Sequence, residues 1–219
     1  MTEKQNSKTL VIDLHYAPSI SYILSLIASS KTCFEQFEHH EKGSCRNRCY
    51  LAGPDGPIRL TVPLEKGKHQ HSLIKEVRVC NSYPWQKLHW RTLESAYRKS
   101  PWFEFYEESL RPVYEKPWDY LMDLNLELLG RITGWLDLDF KPGFTEEFQP
   151  VYDPAEFVDL RNRFLPGDFN PDQDPGGPKY HQVFEERTGF IPGLSILDLL
   201  FAEGKRSAGI LTGYAGGSL

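Results

Sequence analysis

The opening of the chain is its tightest constraint. Thr9 to Leu14 (Thr-Leu-Val-Ile-Asp-Leu) is a short β-rich run that reads as a buried strand. His15 to Ser19 is a turn holding Pro18, and Ser19 or Ser21 caps a helix reaching about Ser29. Thr32 to Phe37 is a second strand candidate. Strand, turn, helix and strand in that order predict a βαβ unit with two parallel neighbours. The ends of such strands are where open α/β sheets place ligands. Asp13 and His15 stand there, and an imidazole suits general-base work near neutral pH. A histidine at a turn is also a common structural element, and both readings stand.

Beyond a polar loop, His39 to Ser44, the runs Arg46 to Ala52 and Ile58 to Leu64 flank Gly53-Pro54-Asp55-Gly56-Pro57, which predicts a hairpin. Leu73 to Cys80 reads as a further strand, with Ile74, Val77 and Val79 apolar. At Asn81 the apolar period lengthens from two to 3.6. Ser82 caps a helix through Trp85 and Trp90 to about Lys99, Ser100-Pro101 restarts one to about Leu110, and Pro117 opens a third, Trp118 to Leu136. Residues 137–178 are rich in Pro and Gly and read as loop, with one short element near Pro154 to Phe164. Structure returns at Tyr180 to Phe190. Ser195 caps a last helix, Ile196 to Ala202, stopped by Gly204. Residues 1–8 and 205–219 read as frayed ends. The fold expected is α/β in one domain, core about 9–204. It has a mixed sheet opening with the parallel βαβ unit, a helical layer over 82–136, the long Pro/Gly segment and a short C-terminal helix.

Charge sorts the function classes. The 219 residues carry 25 basic and 30 acidic side chains, a net charge of -5, so nucleic-acid binding is not expected. Anions then require a local basic patch, and two are present. If a strand covers them, Arg46 and Arg48 share one face about 7 Å apart, with Asn47 between them. Paired guanidinium forks suit a phosphate or carboxylate; salt bridges to Glu38 or Glu41 are the other reading. On the helix from Ser82, Lys87, Arg91 and Arg98 share one side, flanked by Trp85, His89 and Lys99. That stripe suits a planar anionic ligand. It reads equally as an amphipathic helix with Trp90, Leu93 and Tyr97 in the core. Both basic clusters are expected to line one cleft.

Four cysteines make no disulfide scaffold. His39, His40, Cys45 and Cys49 lie close in sequence, with His69 and His71 nearby, but their spacing fits no tetrahedral zinc site, so no metal is expected. Dinucleotide, P-loop, nucleophile-elbow and zincin motifs are absent, and no cofactor is expected. No apolar segment follows the N-terminal charges, and Leu14 to Ala28 is too short for a bilayer span, so the expected location is the cytoplasm.

Five segments, in order and spacing, resemble the WbqC-like family of bacterial proteins. They are Tyr16 to Tyr22 (Tyr-Ala-Pro-Ser-Ile-Ser-Tyr), Arg46 to Arg48 with Leu60 to Pro63, Trp85 to Arg91 (Trp-Gln-Lys-Leu-His-Trp-Arg), Tyr97 to Glu104, and Phe190 to Phe201. The resemblance implies a role beside O-antigen and related surface-polysaccharide genes, as a transferase of an acyl or aminoacyl group, glycine among them, onto an amino sugar. It implies a shared site of Arg46, Asn47, Arg48, Trp85, His89, Arg91, Tyr97 and Lys99, joined by Lys87, with His15 or His89 taking the proton. The expected partner is an anionic small molecule, a nucleotide sugar or acyl donor. The alternative is a non-catalytic binding or scaffold protein of the same pathway. The opening also echoes nucleotidylyltransferases, but their His-x-Gly-His element is missing.

Overall fold

The computed structural model describes residues 8–65, 72–165 and 177–217. The chain opens with β1 (Thr9–Ile12), α1 (Ile20–Ile27) and β2 (Lys31–Phe34), and β1 and β2 pair in parallel, Leu10 opposite Thr32. Ser19 caps α1, its hydroxyl accepting from the Tyr22 N–H. All four residues of β1 are buried, as in a parallel strand covered on both faces. Two further strands flank this pair. Strand β5 (Gly143–Phe144) pairs with β2, and β6 (Phe157–Asp159) pairs with the free edge of β1. Among the described residues the sheet order is β5-β2-β1-β6, all parallel.

The hairpin is β3 (Arg48–Leu51) and β4 (Ile58–Thr61), antiparallel, with Arg48 opposite Thr61. It forms a two-stranded sheet of its own and does not extend the parallel one. Strand β3 begins at Arg48, so Arg46 lies in the preceding turn and the alternation expected for the two arginines does not apply.

Residues 73–80 differ from the strand expected there. Ile74–Glu76 form a single 3-10 turn, and 78–80 make isolated pairings with 63–65 and 119–121. The expected apolar set still points inward, with Ile74, Val77 and Val79 buried.

Helices α2 (Trp85–Tyr97), α3 (Phe103–Glu115) and α4 (Leu121–Trp135) form the helical layer, α3 packing between the other two. Ser82 does not cap α2. Pro84 stands at that position, and the Ser82 hydroxyl meets the Cys80 thiol at 3.0 Å. Helix α3 runs past its expected end and through Pro112, because Val113 and Tyr114 continue its buried face. Helix α4 starts later than expected because Asp119 and Leu121 spend backbone hydrogen bonds on Val79 and Val77.

A short α5 (Glu185–Thr188) precedes α6 (Ile196–Glu203), which Ser195 caps and Gly204 ends at φ 58°. The chain does not fray there. Helix α7 (Arg206–Gly217) packs on α1 and α6, with Ser207 and Leu211 fully buried.

Candidate functional site

In the sheet, β2 and β5 lie on one side of β1 and β6 on the other, so the strand order reverses at β1. Such a reversal leaves a crevice at the carboxyl ends of the strands. Here that place is filled by charged side chains from four separate segments. Asp13 and His15 follow β1, Glu35 and Glu38 follow β2, Arg46 leads into β3, and Arg161 and Asn162 follow β6.

The centre of the cluster is Asp13. One of its oxygens, Oδ2, lies 2.7 Å from His15 Nε2 and 3.3 Å from Arg46 Nη1, and the other accepts from the Asn162 N–H at 2.9 Å. Burial works against this charge. His15, Arg46 and the Asn162 amide outweigh it and hold the carboxyl well below the usual carboxylate range. An ionised Asp13 can only accept, so Nε2 is the donor, and in the neutral imidazole that leaves the lone pair on Nδ1. That Nδ1 is buried and has no hydrogen-bond partner among the described residues. The imidazole stacks on Tyr22 at 4.5 Å, and Phe164 stands edge-on to it at 6.4 Å. His15 is 1% exposed.

Arg46 is 0% exposed. Its guanidinium donates to Glu38 and, at 2.9 Å, to Asn162 Oδ1. Burial lifts the Glu38 carboxyl above its ordinary value, and Arg46 only partly offsets this. The turn carrying Arg46 is docked by its backbone: Asn125 donates to the Arg46 carbonyl at 2.8 Å, and Cys45 accepts from Tyr16. Asn162 adopts φ 57°, a left-handed conformation that asparagine tolerates, and so reaches both Asp13 and Arg46. Beside it, Arg161 ion-pairs with Asp159 and with the buried Glu35, whose other oxygen accepts from Thr145 and the Phe37 amide.

The expected single cleft is therefore divided. Arg46 is enclosed by carboxylates and presents no open face to a ligand. Asn47 is buried and donates to the Val62 carbonyl. Arg48 is half-buried at the start of β3. On α2, Lys87 and Arg91 face solvent, as does Lys99 just past its end, while Trp85, His89 and Tyr97 face the core. Arg91 lines a groove of about 350 Å³ with Pro54, Ile58, Leu88 and Phe184, at the turn end of the hairpin. Arg48 is at the opposite end of that strand.

The inward residues of α2 enter two other networks. His89 Nδ1 lies 2.9 Å from Tyr16 Oη, which also meets Tyr114 Oη at 3.0 Å. Burial, partly opposed by the Thr61 backbone, lowers His89 to about 4. Tyr97 donates to Asp198 at 2.5 Å, and Tyr180 donates to the other Asp198 oxygen at 2.6 Å.

Sequence reasoning missed Glu35, Arg161, Asn162 and Asp198. The signal available for the middle two was Asp159-Leu160-Arg161-Asn162, a polar run at the end of an element expected only in outline. Of the residues weighed as metal ligands, His69 and His71 lie outside the described residues. Among those described, no group of three or more His, Cys, Asp or Glu is arranged to hold a metal ion. No described helix is long and apolar enough to cross a membrane.

The fold and this site define an α/β protein with a buried acid–imidazole pair at the switch point of a parallel sheet. The model of the WbqC-like protein family matches residues 14–159, from the turn after β1 through β6, and the chain belongs to that family. A relative from Mycobacterium tuberculosis (strain ATCC 25618 / H37Rv), described as "Uncharacterized protein Rv1507c", is 26% identical over 226 residues, which cover 90% of this chain and 94% of that protein. No solved structure matches the chain.

Proposed function

We propose that the protein is a transferase moving an acyl or aminoacyl group, glycine among the candidates, onto the amino group of a sugar in surface-polysaccharide (O-antigen) biosynthesis. The observation that carries this reading is the Asp13–His15 pair: a 2.7 Å hydrogen bond at Nε2 and an Nδ1 with no partner among the described residues. A carboxylate behind an imidazole orients the ring and stabilises the imidazolium formed when it accepts a proton. In the step proposed, the amine nitrogen of an amino-sugar nucleotide attacks the carbonyl carbon of an activated acyl donor, a thioester or acyl phosphate. The C–N bond forms. The C–S or C–O bond breaks, its electrons leaving with the thiolate or phosphate. The amine proton passes to His15 Nδ1 and on to the leaving group.

The near-complete burial of the cluster favours the second reading, a non-catalytic binding or scaffold protein of the same pathway. The test is amide formation from radiolabelled acetyl- and glycyl-thioesters on a panel of amino-sugar nucleotides. His15→Gln is expected to lower transfer by about 10²–10⁴-fold with the circular dichroism spectrum unchanged. Transfer at full rate by His15→Gln removes His15 from the reaction. Saturable ligand binding with no transfer from any donor leaves the scaffold reading.

A further inference from the structure

Two grooves flank the turn of the hairpin, and Pro54 lines both. The larger, about 520 Å³, reaches Arg187, Thr188, Phe190 and Ile191. Its one cation, Arg187, is ion-paired with Asp55 of the turn, so the charge there is already met. The smaller, about 350 Å³, lies between the turn and helix α2. Its only charged lining residue is Arg91. Arg91 is exposed and has neither a carboxylate at ion-pair distance nor a hydrogen-bond partner among the described residues, whereas Arg98, further along the helix, is held by Glu94.

Three parts of the fold build this groove. Leu88, Thr92, Ser95 and Ala96 recur at spacings of three and four along α2, so one stripe of the helix forms the first wall. Pro54 and Ile58 form the second. Gly53 lets the turn fold onto Ile58, because a Cβ at 53 would lie 2.5 Å from the Ile58 side chain. Phe184, at the head of α5, forms the third and packs against the buried Ala52, Ile191 and Leu194. The Asp55–Arg187 pair ties the turn to α5 and so fixes the second wall relative to the third. The groove is therefore pre-formed, as small-molecule sites generally are. Its polar groups sit on the α2 wall beside Arg91. Thr92 spends its hydroxyl proton on the Leu88 carbonyl at 2.9 Å, and the Ser95 hydroxyl has no partner among the described residues.

We infer that this groove is a binding site for an apolar monocarboxylate, a short acyl or aryl acid. One unmet guanidinium with no lining carboxylate complements a single negative charge, and its fork matches the two oxygens of a carboxylate. A phosphate dianion calls for a second cation, which the lining does not supply. The apolar walls fit the body of such an acid, and the volume stands at the lower end of small-ligand pockets. Arg91 takes the carboxylate, Ser95 donates to it, and Ile58, Leu88 and Phe184 enclose the body. The inference goes beyond the transferase reading and needs neither that reaction nor the acid–imidazole pair.

The test uses nuclear magnetic resonance of the full chain, with carbon-13 in the Ile and Leu methyl groups and nitrogen-15 in Arg. Phenylacetate and octanoate are titrated at pH 7, each beside its uncharged amide, with inorganic phosphate in parallel. Saturable shifts of Ile58, Leu88 and Arg91 are expected with at least one acid, at a dissociation constant of about 1 mM. The matching amide should bind about tenfold or more weakly, and Arg91→Gln should lower the acid to the level of the amide. Arg91→Lys keeps the charge, loses the fork and should fall between. Ser95→Trp fills the groove from an exposed helix position and should abolish the Ile58 and Leu88 shifts. Arg91 and Ser95 are both exposed, so their variants should melt within about 2 °C of the parent. Silence toward both acids at about 20 mM overturns the site. Equal binding of acid and amide overturns it too, as does binding unchanged in Arg91→Gln. Phosphate shifting Arg91 as strongly as the acids do, with Ile58 and Leu88 unmoved by any of them, marks ordinary surface attraction and also overturns it. So do Ile58 and Leu88 lines that move on dilution of the protein alone, because a second copy then occupies the groove.

Discussion

Two buried residues carry predictions that need no ligand. Replacing Arg46 by Ala leaves Asp13 and Glu38 facing each other in an interior that no longer neutralises them. Breaking a buried pair in this way costs about 3–5 kcal/mol, which for a chain of this size is a fall in melting temperature of order 10 °C. Thermal unfolding of Arg46→Ala by circular dichroism checks this, and a fall under about 2 °C would show that water already shares the cluster.

His89 predicts a pH dependence. Its folded pKa is lowered from 6.5 to about 4, chiefly by burial. The unfolded chain therefore binds the proton first as the pH falls, and the His89 contribution to stability is lost between about 6.5 and 4. In His89→Gln that part of the slope disappears. Urea unfolding at pH 7, 5.5 and 4.5 should show the stability gap between parent and variant narrowing as the pH falls. A constant gap means that His89 does not titrate in this window.

At the scale of elements, what was legible depended on length and local chemistry. The β1–α1–β2 unit declared itself through an apolar run, a Ser cap and a second β-rich run, all within thirty residues. Helix α6 did so through Ser195 and Gly204. Strand β5 did not, and β6 was legible only as a short element of unstated type near Pro154 to Phe164. They are two and three residues long, too short for any period, and exist because β2 and β1 offer unpaired edges. The site divided the same way. Asp13, His15 and Arg46 could be proposed from a strand end, whereas Asn162 reaches Asp13 across 149 positions and only the fold brings it there. The cations of α2 face water because a helix that buries Trp85, His89 and Tyr97 must put its remaining charges on the other side.

Helix α7 lies where a frayed end was expected, and although its glycines weaken a helix it is held by packing through Ser207 and Leu211. That contrast gives two substitutions of opposite sign. Gly213 is exposed within α7, and a Cβ there meets nothing within 4 Å, so Gly213→Ala should stabilise by about 0.5–1 kcal/mol. Gly204 ends α6 at φ 58°, and a Cβ there would lie 2.2 Å from the Trp102 ring. Gly204→Ala should therefore destabilise by more than about 1–3 kcal/mol. Chemical denaturation of the two variants decides both, and the same sign for the pair contradicts the docking of this corner.

At the scale of the molecule, one carboxylate joins α6 to segments from three other parts of the chain, beside the backbone bonds from Ser195 to Tyr50 and from Ile196 to Pro18. Asp198, in the first turn of α6, accepts from Tyr97 of α2 and from Tyr180 of the incoming segment, while the Tyr97 hydroxyl accepts from the Ala52 amide just past β3. Four segments distant in sequence meet at a group that is 1% exposed. Burial raises the Asp198 pKa above its ordinary value, and the two phenols pull against that shift. Removing both hydroxyls, in Tyr97→Phe with Tyr180→Phe, leaves only the Ala52 backbone opposing burial and raises the folded pKa further. A carboxyl whose folded pKa lies above its unfolded one loses stability as the pH rises through that folded value. The double variant should thus be weakest at neutral pH, by about 2–6 kcal/mol if each buried hydrogen bond is worth about 1–3 kcal/mol. It should recover part of the deficit toward pH 4.5, where Asp198 takes a proton and no longer needs two donors. Adding Asp198→Asn to the double variant removes the charge and should flatten the pH dependence. Urea unfolding of parent, double and triple variants at pH 7 and pH 4.5 measures the effect. A double-variant deficit that is equal at both values would mean that the carboxylate is not what joins these segments.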